Sequence, residues 1–328
     1  MRTITSFCIF FAIAGGCGPA SRPAASGDDD GNDASGSNVA SCTPTGPENT
    51  PATCSDGIDN DCNGLIDCDD PSCSGIGNCP VCGAVSHPTG SAVPLPDGVC
   101  GTNDSGDCSC TTDADCASLQ PAGQKCWTIG AGDQECRISY TSTVTFSGFG
   151  STQTLAQPSD ILSICVNMSH EWVRDLEIDV QAPSGQILAL DKFEGQTCGN
   201  GGVCEVFLGN PLNTDGDCMP CTTETGMQYC WTPTATNSAI LDYANMSGAM
   251  NSWNGHSVLP VSAGSGSAVS NAYAASDPWT NLVGATLNGQ WTFSVTDLWP
   301  IDAGQLHSWT ISFNPAIVQN CGATNPIQ

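Results

Sequence analysis

Apolar and polar residues alternate with a period of two along three segments in the C-terminal half of the chain. The residues that share an apolar face are Leu176, Ile178, Val180 and Ala182 in the first segment, Trp291, Phe293 and Val295 in the second, and Trp309, Ile311 and Phe313 in the third. A period of two predicts half-buried β-strands. Because the first segment is far from the other two in sequence, we expect non-local pairing, as in a β-sandwich rather than a meander.

Short motifs on and between these predicted strands carry a family resemblance. In chain order they are Asp175-Leu176 at the start of a strand, Pro183-Ser184-Gly185 at a turn, Asn288-Gly289-Gln290-Trp291, Val295-Thr296-Asp297, and Gly304 followed by Ser308-Trp309. Together they resemble the bacterial form of the P domain (Homo B module) of proprotein convertases, over residues 138–315. The resemblance implies a β-jelly-roll with a topology like that of galactose-binding domains. In convertases this module packs beside a subtilisin-like catalytic domain and supports its folding, and this sequence contains no subtilisin-like block.

The N-terminus has the features of an export signal. Arg2 supplies a positive charge, an apolar stretch too short to span a bilayer runs to Ala14, and Cys17 follows as in a bacterial lipobox. We therefore predict a signal peptide at 1–16, lipidation of Cys17 and a disordered acidic tether at 17–41. The alternative is an ordinary secretory signal with a chance cysteine. Either way we expect an exported protein, lipid-anchored to a bacterial outer membrane or cell surface, or otherwise secreted.

The charge of the chain restricts the classes of partner. Asp and Glu number 33 against 6 Lys and Arg, which gives a formal net charge of −27. Such a chain is repelled by phosphate backbones, so we expect no nucleic-acid binding, and we expect membrane contact through the N-terminal lipid only. The excess of carboxylates favours cations as ligands, and calcium above all.

The cysteine content indicates a disulfide framework. The chain has 22 cysteines, and 20 remain when Cys8 and Cys17 are set aside. In an exported protein we expect these 20 to be oxidised. Thirteen lie within 42–136 and seven within 165–321, so complete pairing requires at least one bridge between the two regions. The earlier region has few large apolar residues, and we expect disulfides to replace a core there.

Cysteine spacing and composition also suggest how the chain is divided. The predicted segments are a Cys/Asp-rich metal-binding segment at 42–99, a small disulfide-rich module at 100–137, the P-domain-like sandwich at 138–315 with a Cys-rich insertion at 198–230, and a C-terminal tail at 316–328. Two pairs have Cys-x-x-Cys spacing, Cys79/Cys82 and Cys218/Cys221. Zinc or redox sites are alternatives, but the pairs are far apart and lack a thioredoxin-like context, so we expect structural bridges.

The acidic segment 54–73 has the spacing of a calcium-binding loop. Counted from Asp59, oxygen-bearing side chains occupy positions 1, 3, 5, 9 and 12, with Gly64 at position 6 and the backbone carbonyl of Leu65 at position 7. The side-chain ligands are Asp59, Asp61, Asn63, Asp67 and Asp70. The flanks are not helical, so the segment resembles thrombospondin type 3 repeats and the Cys-Asp metal-binding repeats of bacterial surface proteins. We predict Ca²⁺ bound with a dissociation constant on the order of 10⁻⁴ M. The alternative is a solvated turn held by disulfides.

Three other aspartates form a second candidate cation site. Asp175, Asp297 and Asp302 lie at predicted strand ends or in loops, where their carboxylates can surround a stabilising ion. The alternative is that each of them caps a turn or faces water.

No catalytic residue is predicted. The histidines are His87, His170, His256 and His307, and neither the His-Glu-x-x-His helix motif nor a Gly-x-Ser-x-Gly elbow is present. His307 alternates in phase with Trp309, which predicts a partly buried histidine on a strand. If the protein has any role in catalysis, the resemblance implies only an association with serine-type endopeptidases.

Three hypotheses for function follow. The main one is a non-enzymatic cell-surface lipoprotein that binds calcium and presents its P-domain-like module to a protein or glycan partner. The second is an accessory or stabilising factor for a separately encoded secreted protease. The third is an unrecognised extracellular hydrolase. The predicted fold class is all-β, with a C-terminal jelly-roll sandwich preceded by a disulfide-rich, irregular calcium-binding segment.

Overall fold

The computed structural model of the chain describes residues 42–96, 108–119, 122–129, 133–193, 206–211, 225–247, 271–299, 302 and 304–324. The predicted signal peptide, the tether with Cys17 and most of the insertion at 198–230 lie outside the described residues. These described residues belong to one structural unit.

Antiparallel β-sheets dominate the described residues, which confirms the all-β class. The strands, in chain order, are β1 (Ala84–Pro94), β2 (Lys125–Thr128), β3 (Gln134–Arg137), β4 (Ser139–Phe146), β5 (Ile161–His170), β6 (Leu176–Gln181), β7 (Ile187–Asp191), β8 (Met227–Trp231), β9 (Gly289–Asp297) and β10 (Gly304–Phe313). One four-stranded sheet has the order β1-β10-β5-β8, and a second has the order β4-β9-β6-β7. Strands β2 and β3 form a separate two-stranded sheet.

The pairing of β6 with β9 confirms that the predicted strands associate non-locally. Leu176 lies opposite Asp297, and Ile178 lies opposite Val295. Buried residues alternate with half-buried ones along β6, as its sequence pattern predicted. After β9 the chain crosses to the other four-stranded sheet, where β10 pairs with β1 and β5.

Aromatic side chains fill the space between the two four-stranded sheets. The Phe293 ring stacks on the Trp309 ring, with centroids 5.1 Å apart and planes inclined by 15°. Trp291 meets Phe313 edge-on, with centroids 5.3 Å apart. The Trp309 indole N–H donates to the Ser142 hydroxyl at 2.9 Å, so the polar atom of this buried ring has a partner. The two sheets therefore pack face to face as a sandwich.

Strand β1 comes from the segment 42–99, to which the sequence analysis assigned only metal binding. It pairs antiparallel with β10, with Ala84 opposite Ser312 and a shift of register between Pro88 and Val93. Its position at the edge of the sheet explains why proline is tolerated there. The sandwich thus includes a strand that precedes residue 138, where the sequence analysis placed its start.

Disulfides connect the described segments to one another. The pairs are Cys42–Cys62, Cys54–Cys73, Cys68–Cys79, Cys82–Cys321, Cys110–Cys126, Cys116–Cys136 and Cys165–Cys230. The bridge from Cys82 to Cys321 joins the two regions, as the odd cysteine counts required. Cys79 and Cys82 have different partners, so this Cys-x-x-Cys pair is structural as predicted. Cys218 and Cys221 lie outside the described residues.

Cystines form the interior of the front segment, which is the described part of the chain before β1. The buried cluster there consists of Cys54, Cys73 and Cys79, with Cys68 and Ile76 packed against it. The module that contains β2 and β3 has a comparable interior made of cysteines. Both regions therefore use disulfides in place of an apolar core, as their composition predicted.

Helices in the described part of the chain are short. They are α1 (Asp113–Cys116), α2 (Ile240–Ser247) and α3 (Cys321–Thr324), with 3-10 turns at Asp67–Asp69, Pro71–Cys73, Pro158–Asp160, Val173–Asp175, Trp279–Leu282 and Pro315–Ile317. None of these described helices has both the length and the apolar character needed to span a membrane.

Candidate functional site

The acidic loop of the front segment is closed by hydrogen bonds from its own backbone. The Asp59 carboxylate accepts from the Asn63 amide at 3.1 Å and from the Gly64 amide at 2.9 Å. The Asp61 carboxylate accepts from the Asn63 amide at 3.2 Å. Gly64 has a φ of 94°, a backbone conformation that glycine adopts without strain. These contacts place Asp59 and Asp61 on the same turn.

Asn63 connects this turn to Asp70, the last predicted ligand. Its side-chain amide donates to the Asp70 carboxylate at 2.7 Å and to the Asp61 carboxylate at 3.3 Å. Asp70 is buried, and its second oxygen accepts from the Ser72 amide at 2.6 Å, which caps the 3-10 turn that follows. Four of the predicted side-chain ligands thus lie in one hydrogen-bonded group.

Glu48 joins this group, although the sequence pattern gave no reason to expect it. Its carboxylate lies within 4.8 Å of the Asp59 and Asp61 carboxylates. The Glu48 side chain is buried and accepts from the amides of Asn60, at 3.2 Å, and Asp67. Burial raises the pKa of Glu48, and the nearby carboxylates raise it further, while the two amide donors lower it in part.

The Asp67 carboxylate has its hydrogen-bond partner outside this group. Both of its carboxylate oxygens lie 3.1 Å from the Gly57 amide, which donates to them. Asp67 also has a φ of 55°, a left-handed conformation that aspartate tolerates better than most residues. Position 9 of the predicted loop is therefore used to fix the backbone. At position 7, the Leu65 amide donates to the Asn63 side-chain oxygen at 2.9 Å.

The front cluster, defined here as Glu48, Asp59, Asp61, Asn63 and Asp70, offers oxygen atoms only. Four of its five members are carboxylates, and their mutual repulsion is relieved when a divalent cation binds among them. Hard oxygen donors in this number suit Ca²⁺. The only sequence signal for Glu48 is that it is the one acidic residue between Cys42 and Cys54.

The second set of predicted ligands interacts electrostatically, at one end of the sandwich. Asp175, Asp297 and Asp302 are all buried, with relative exposures of 0%, 1% and 7%, so none of them faces water. Asp175 and Asp302 are in direct contact. Burial raises the pKa of Asp175 to about 9, and the charges of Asp297 and Asp302 contribute to that rise. We call these three residues the rear cluster.

His170 orients the rear cluster and was not assigned to it from sequence. Its Nε2 lies 3.1 Å from an Asp297 carboxylate oxygen, and both side chains are fully buried. Its Nδ1 accepts from the Trp172 amide at 3.0 Å, which leaves Nε2 as the nitrogen that donates to Asp297. Burial of the ring lowers the pKa of His170, but Asp297, Asp302 and Glu171 outweigh this effect and raise it.

A cleft of about 550 Å³ lies between the small disulfide module and the outer face of the β4-β9-β6-β7 sheet. Trp127 and Lys125 line it on the module, while Thr141, Asp179 and Ser294 line it on the sheet. Burial raises the pKa of Asp179 to about 7, with smaller contributions from nearby carboxylates. The volume is typical of small-ligand sites, and hydroxyl, carboxylate and indole groups occur together in it.

Comparison with known proteins gives no family for this chain. No protein family model, curated protein or solved structure matches it. Its function is therefore inferred from the residues and their geometry. Of the histidines, His307 is half-buried on β10, where the register shifts between Leu306 and Ser308. His256 lies outside the described residues, as does the His87 side chain.

Proposed function

We propose that the chain is a non-enzymatic, exported surface lipoprotein whose front cluster binds Ca²⁺ and whose sandwich is a P-domain-like jelly-roll that presents a binding surface. The observation that carries this proposal is the buried Glu48 carboxylate, which lies within 4.8 Å of the Asp59 and Asp61 carboxylates. A buried carboxylate beside two others is costly unless protons or a cation compensate the charge.

Glu48 supplies what the loop sequence lacks. A calcium loop of this type ends in a glutamate at position 12, whose long side chain reaches the ion with both oxygens. Asp70 occupies that position and has a shorter side chain. Glu48 belongs to the turn that precedes the loop, and the Cys42–Cys62 disulfide holds this turn against the loop. The ion then has carboxylates from two chain segments, and its binding ties those segments together.

Calcium in the front cluster stabilises a region that has almost no apolar interior. The cystines of the front segment restrict its unfolded state, and the ion adds a constraint that exists only in the folded state. The Cys82–Cys321 bridge and the pairing of β1 with β10 join this region to the sandwich. Bound calcium therefore fixes the fold of the front segment, which leads into strand β1.

The partner we propose is a glycan in the cleft between the disulfide module and the sandwich. Trp127 offers a ring face for stacking on a sugar, and Thr141, Ser294 and Asp179 offer hydrogen-bonding groups. The net charge of −27 makes a neutral or cationic glycan the better ligand. A protein partner is the alternative outcome of the binding test.

A second candidate function is that of an accessory factor for a separately encoded secreted protease. It is favoured by the position of the P-domain-like motifs, since Leu176 and Asp297 come from two such motifs and pair directly across β6 and β9. An accessory factor raises the yield or stability of a secreted protease. Deleting it lowers extracellular proteolysis without changing attachment to cells or glycans.

Calorimetric titration of calcium into the chelator-treated full chain tests the front site. We expect heat of binding in the wild type and loss of that component in Asp61→Asn, with Asp133→Asn as an exposed control. A titration in which Asp61→Asn matches the wild type overturns the site. Glycan-array binding by the purified protein, with Trp127→Ala as the matched variant, then tests the cleft. Equal binding by the two proteins places the partner elsewhere.

A further inference from the structure

We propose that the rear cluster is a second Ca²⁺ site, in which Asp175, Asp297 and Asp302 bind the ion and His170 holds Asp297 in position. The site lies in the sandwich, it does not use the acidic loop, and it does not depend on the proposed function of the front segment. The observation that points to a ligand is the Asp175 carboxylate, which is fully buried and receives no hydrogen bond from any residue that the structure describes.

Three separate stretches of chain bring the cluster together. Asp175 ends the 3-10 turn Val173–Asp175, and its carbonyl accepts from the Leu298 amide at 2.8 Å. Asp297 ends β9, opposite the first residue of β6. Asp302 lies in the connection between β9 and β10. The backbone pairing of the sheet therefore fixes the first two aspartates, and the connection brings the third against them.

Asp175 has no donor among the described residues. Its side chain is 0% exposed, and no N–H or O–H group donates to either of its carboxylate oxygens. Its close neighbour is the carboxylate of Asp302. Two carboxylates in contact inside a protein cannot both be ionised unless a cation lies between them, and otherwise they share a proton.

The charges around the cluster favour the cation. Among the described residues, Asp175, Asp297, Asp302 and the buried Glu171 are the acidic groups, and Arg174 and His170 are the basic groups that act on them. Arg137 donates to the nearby Leu298 carbonyl, but its charge is paired with Glu135. Even with both basic groups charged, the acidic groups are in excess. A divalent ion compensates that excess at the point where Asp175 lacks a donor.

The donor set selects calcium among common metals. All available ligand atoms are carboxylate or carbonyl oxygens. The softer donors that zinc prefers are not among them. Both nitrogens of His170 are engaged, one with Asp297 and one with the Trp172 amide. The cluster is closed to solvent, and Mg²⁺ usually keeps several of its waters whereas Ca²⁺ gives them up more readily.

His170 acts as a positioning residue for this site. It donates to one oxygen of Asp297, and the Trp299 amide donates to the other at 3.2 Å, so the carboxylate has a fixed orientation. Gly304 packs against the His170 ring so closely that a β-carbon there would overlap it. Such support from a second layer of residues is typical of metal sites.

Terbium luminescence tests the site selectively, because Tb³⁺ replaces Ca²⁺ and emits when a nearby indole is excited. Residues 42–96 contain neither tryptophan nor tyrosine, whereas the Trp299 amide donates to Asp297 of the rear cluster and the Trp172 amide donates to its neighbour His170. In the full chain we expect indole-excited emission that Ca²⁺ displaces. The emission should be lost in Asp175→Asn and retained in Asp61→Asn. Retention in Asp175→Asn overturns the proposal.

Calcium stoichiometry, measured by equilibrium dialysis of the full chain, separates this proposal from the front site. We expect two ions in the wild type, one in either single variant and none in the double variant. One ion in the wild type that is lost only with Asp61→Asn means that the rear cluster holds a proton instead. Thermal unfolding in chelator controls for folding, since Asp175→Asn removes charge repulsion and should be at least as stable as the wild type there. If it unfolds, Asp302→Asn takes its place, with the same expected and contradicting results.

Discussion

Cys82 and Cys321 form a disulfide between positions 239 residues apart, at the junction of the front segment and the sandwich. Beside it, the Phe313 amide donates to the Gly83 carbonyl at 3.0 Å. Both ends of the bridge are buried, and α3 begins at Cys321. The junction is therefore held by a covalent bond, a hydrogen bond and the pairing of β1 with β10.

Removing the bridge with the pair Cys82→Ser and Cys321→Ser should lower the melting temperature of the whole sandwich. In the chain-entropy model a loop of this length restricts the unfolded state by up to about 5 kcal/mol. Calorimetry of the full chain measures the effect. The control is the Cys110–Cys126 pair, which closes a loop of 16 residues and should cost about 3 kcal/mol, mostly within its own module. An unchanged sandwich transition in the first variant contradicts the inferred role of the junction.

The sequence analysis predicted three strands from their regular apolar faces, and it missed β4, which alternates as regularly, as well as β1, which does not. Strands β6, β9 and β10 follow the alternation at 176–181, 289–297 and 304–313. Strand β1 contains Pro88 and a change of register, so its sequence carries no sustained alternation. In β10 a bulge next to His307 interrupts the alternation of buried and half-buried residues. Leu306 and Trp309 are therefore both buried although they are three positions apart.

The candidate sites were predicted as far as local spacing determines them. Regular spacing singled out four loop residues that the structure joins in one hydrogen-bonded group, and strand-end positions singled out the three aspartates of the rear cluster. Glu48 was missed because its position depends on how the disulfides fold the preceding turn. His170 was missed because its partner Asp297 is 127 residues away, and only the assembled sheets bring the two together. Contacts of that kind depend on tertiary structure, which local spacing does not specify.

Gly304→Ala should destabilise the sandwich by about 1–3 kcal/mol, because its methyl group overlaps the His170 ring and the Ser169 carbonyl. It should also weaken indole-excited terbium emission, since the displaced ring no longer orients Asp297. Denaturant unfolding and luminescence measure the two effects. Gly284→Ala is the control: it has open space around it and a φ of 85°, so it should cost stability through backbone strain and leave the emission unchanged. Equal emission from both variants contradicts the positioning role of His170.

Asp179→Asn should stabilise the protein at pH 8 and have less effect at pH 5. The pKa of Asp179 is raised from 3.8 to about 7, so between these values the folded state keeps a proton that the unfolded chain releases. Stability therefore falls as pH rises through this window, by at most about 4 kcal/mol, and the loss is complete above the folded pKa. Melting temperatures at the two pH values measure the difference. The exposed Asp242→Asn serves as control, and an equal gain at both pH values contradicts the explanation.

Glu48→Gln should weaken calcium binding at the front cluster by about tenfold or more, because it removes one charged ligand from a site that depends on charge. Asp67→Asn should change the affinity much less, since that carboxylate accepts from the Gly57 amide and asparagine tolerates the left-handed conformation of position 67. Calorimetric titration of both variants in the Asp175→Asn background, which removes the rear site, measures the front affinity alone. The regular loop pattern predicts the opposite ranking, because Asp67 holds a ligand position and Glu48 holds none. A larger loss with Asp67→Asn than with Glu48→Gln therefore means that the loop binds calcium by its sequence pattern, after Asp67 has turned away from Gly57.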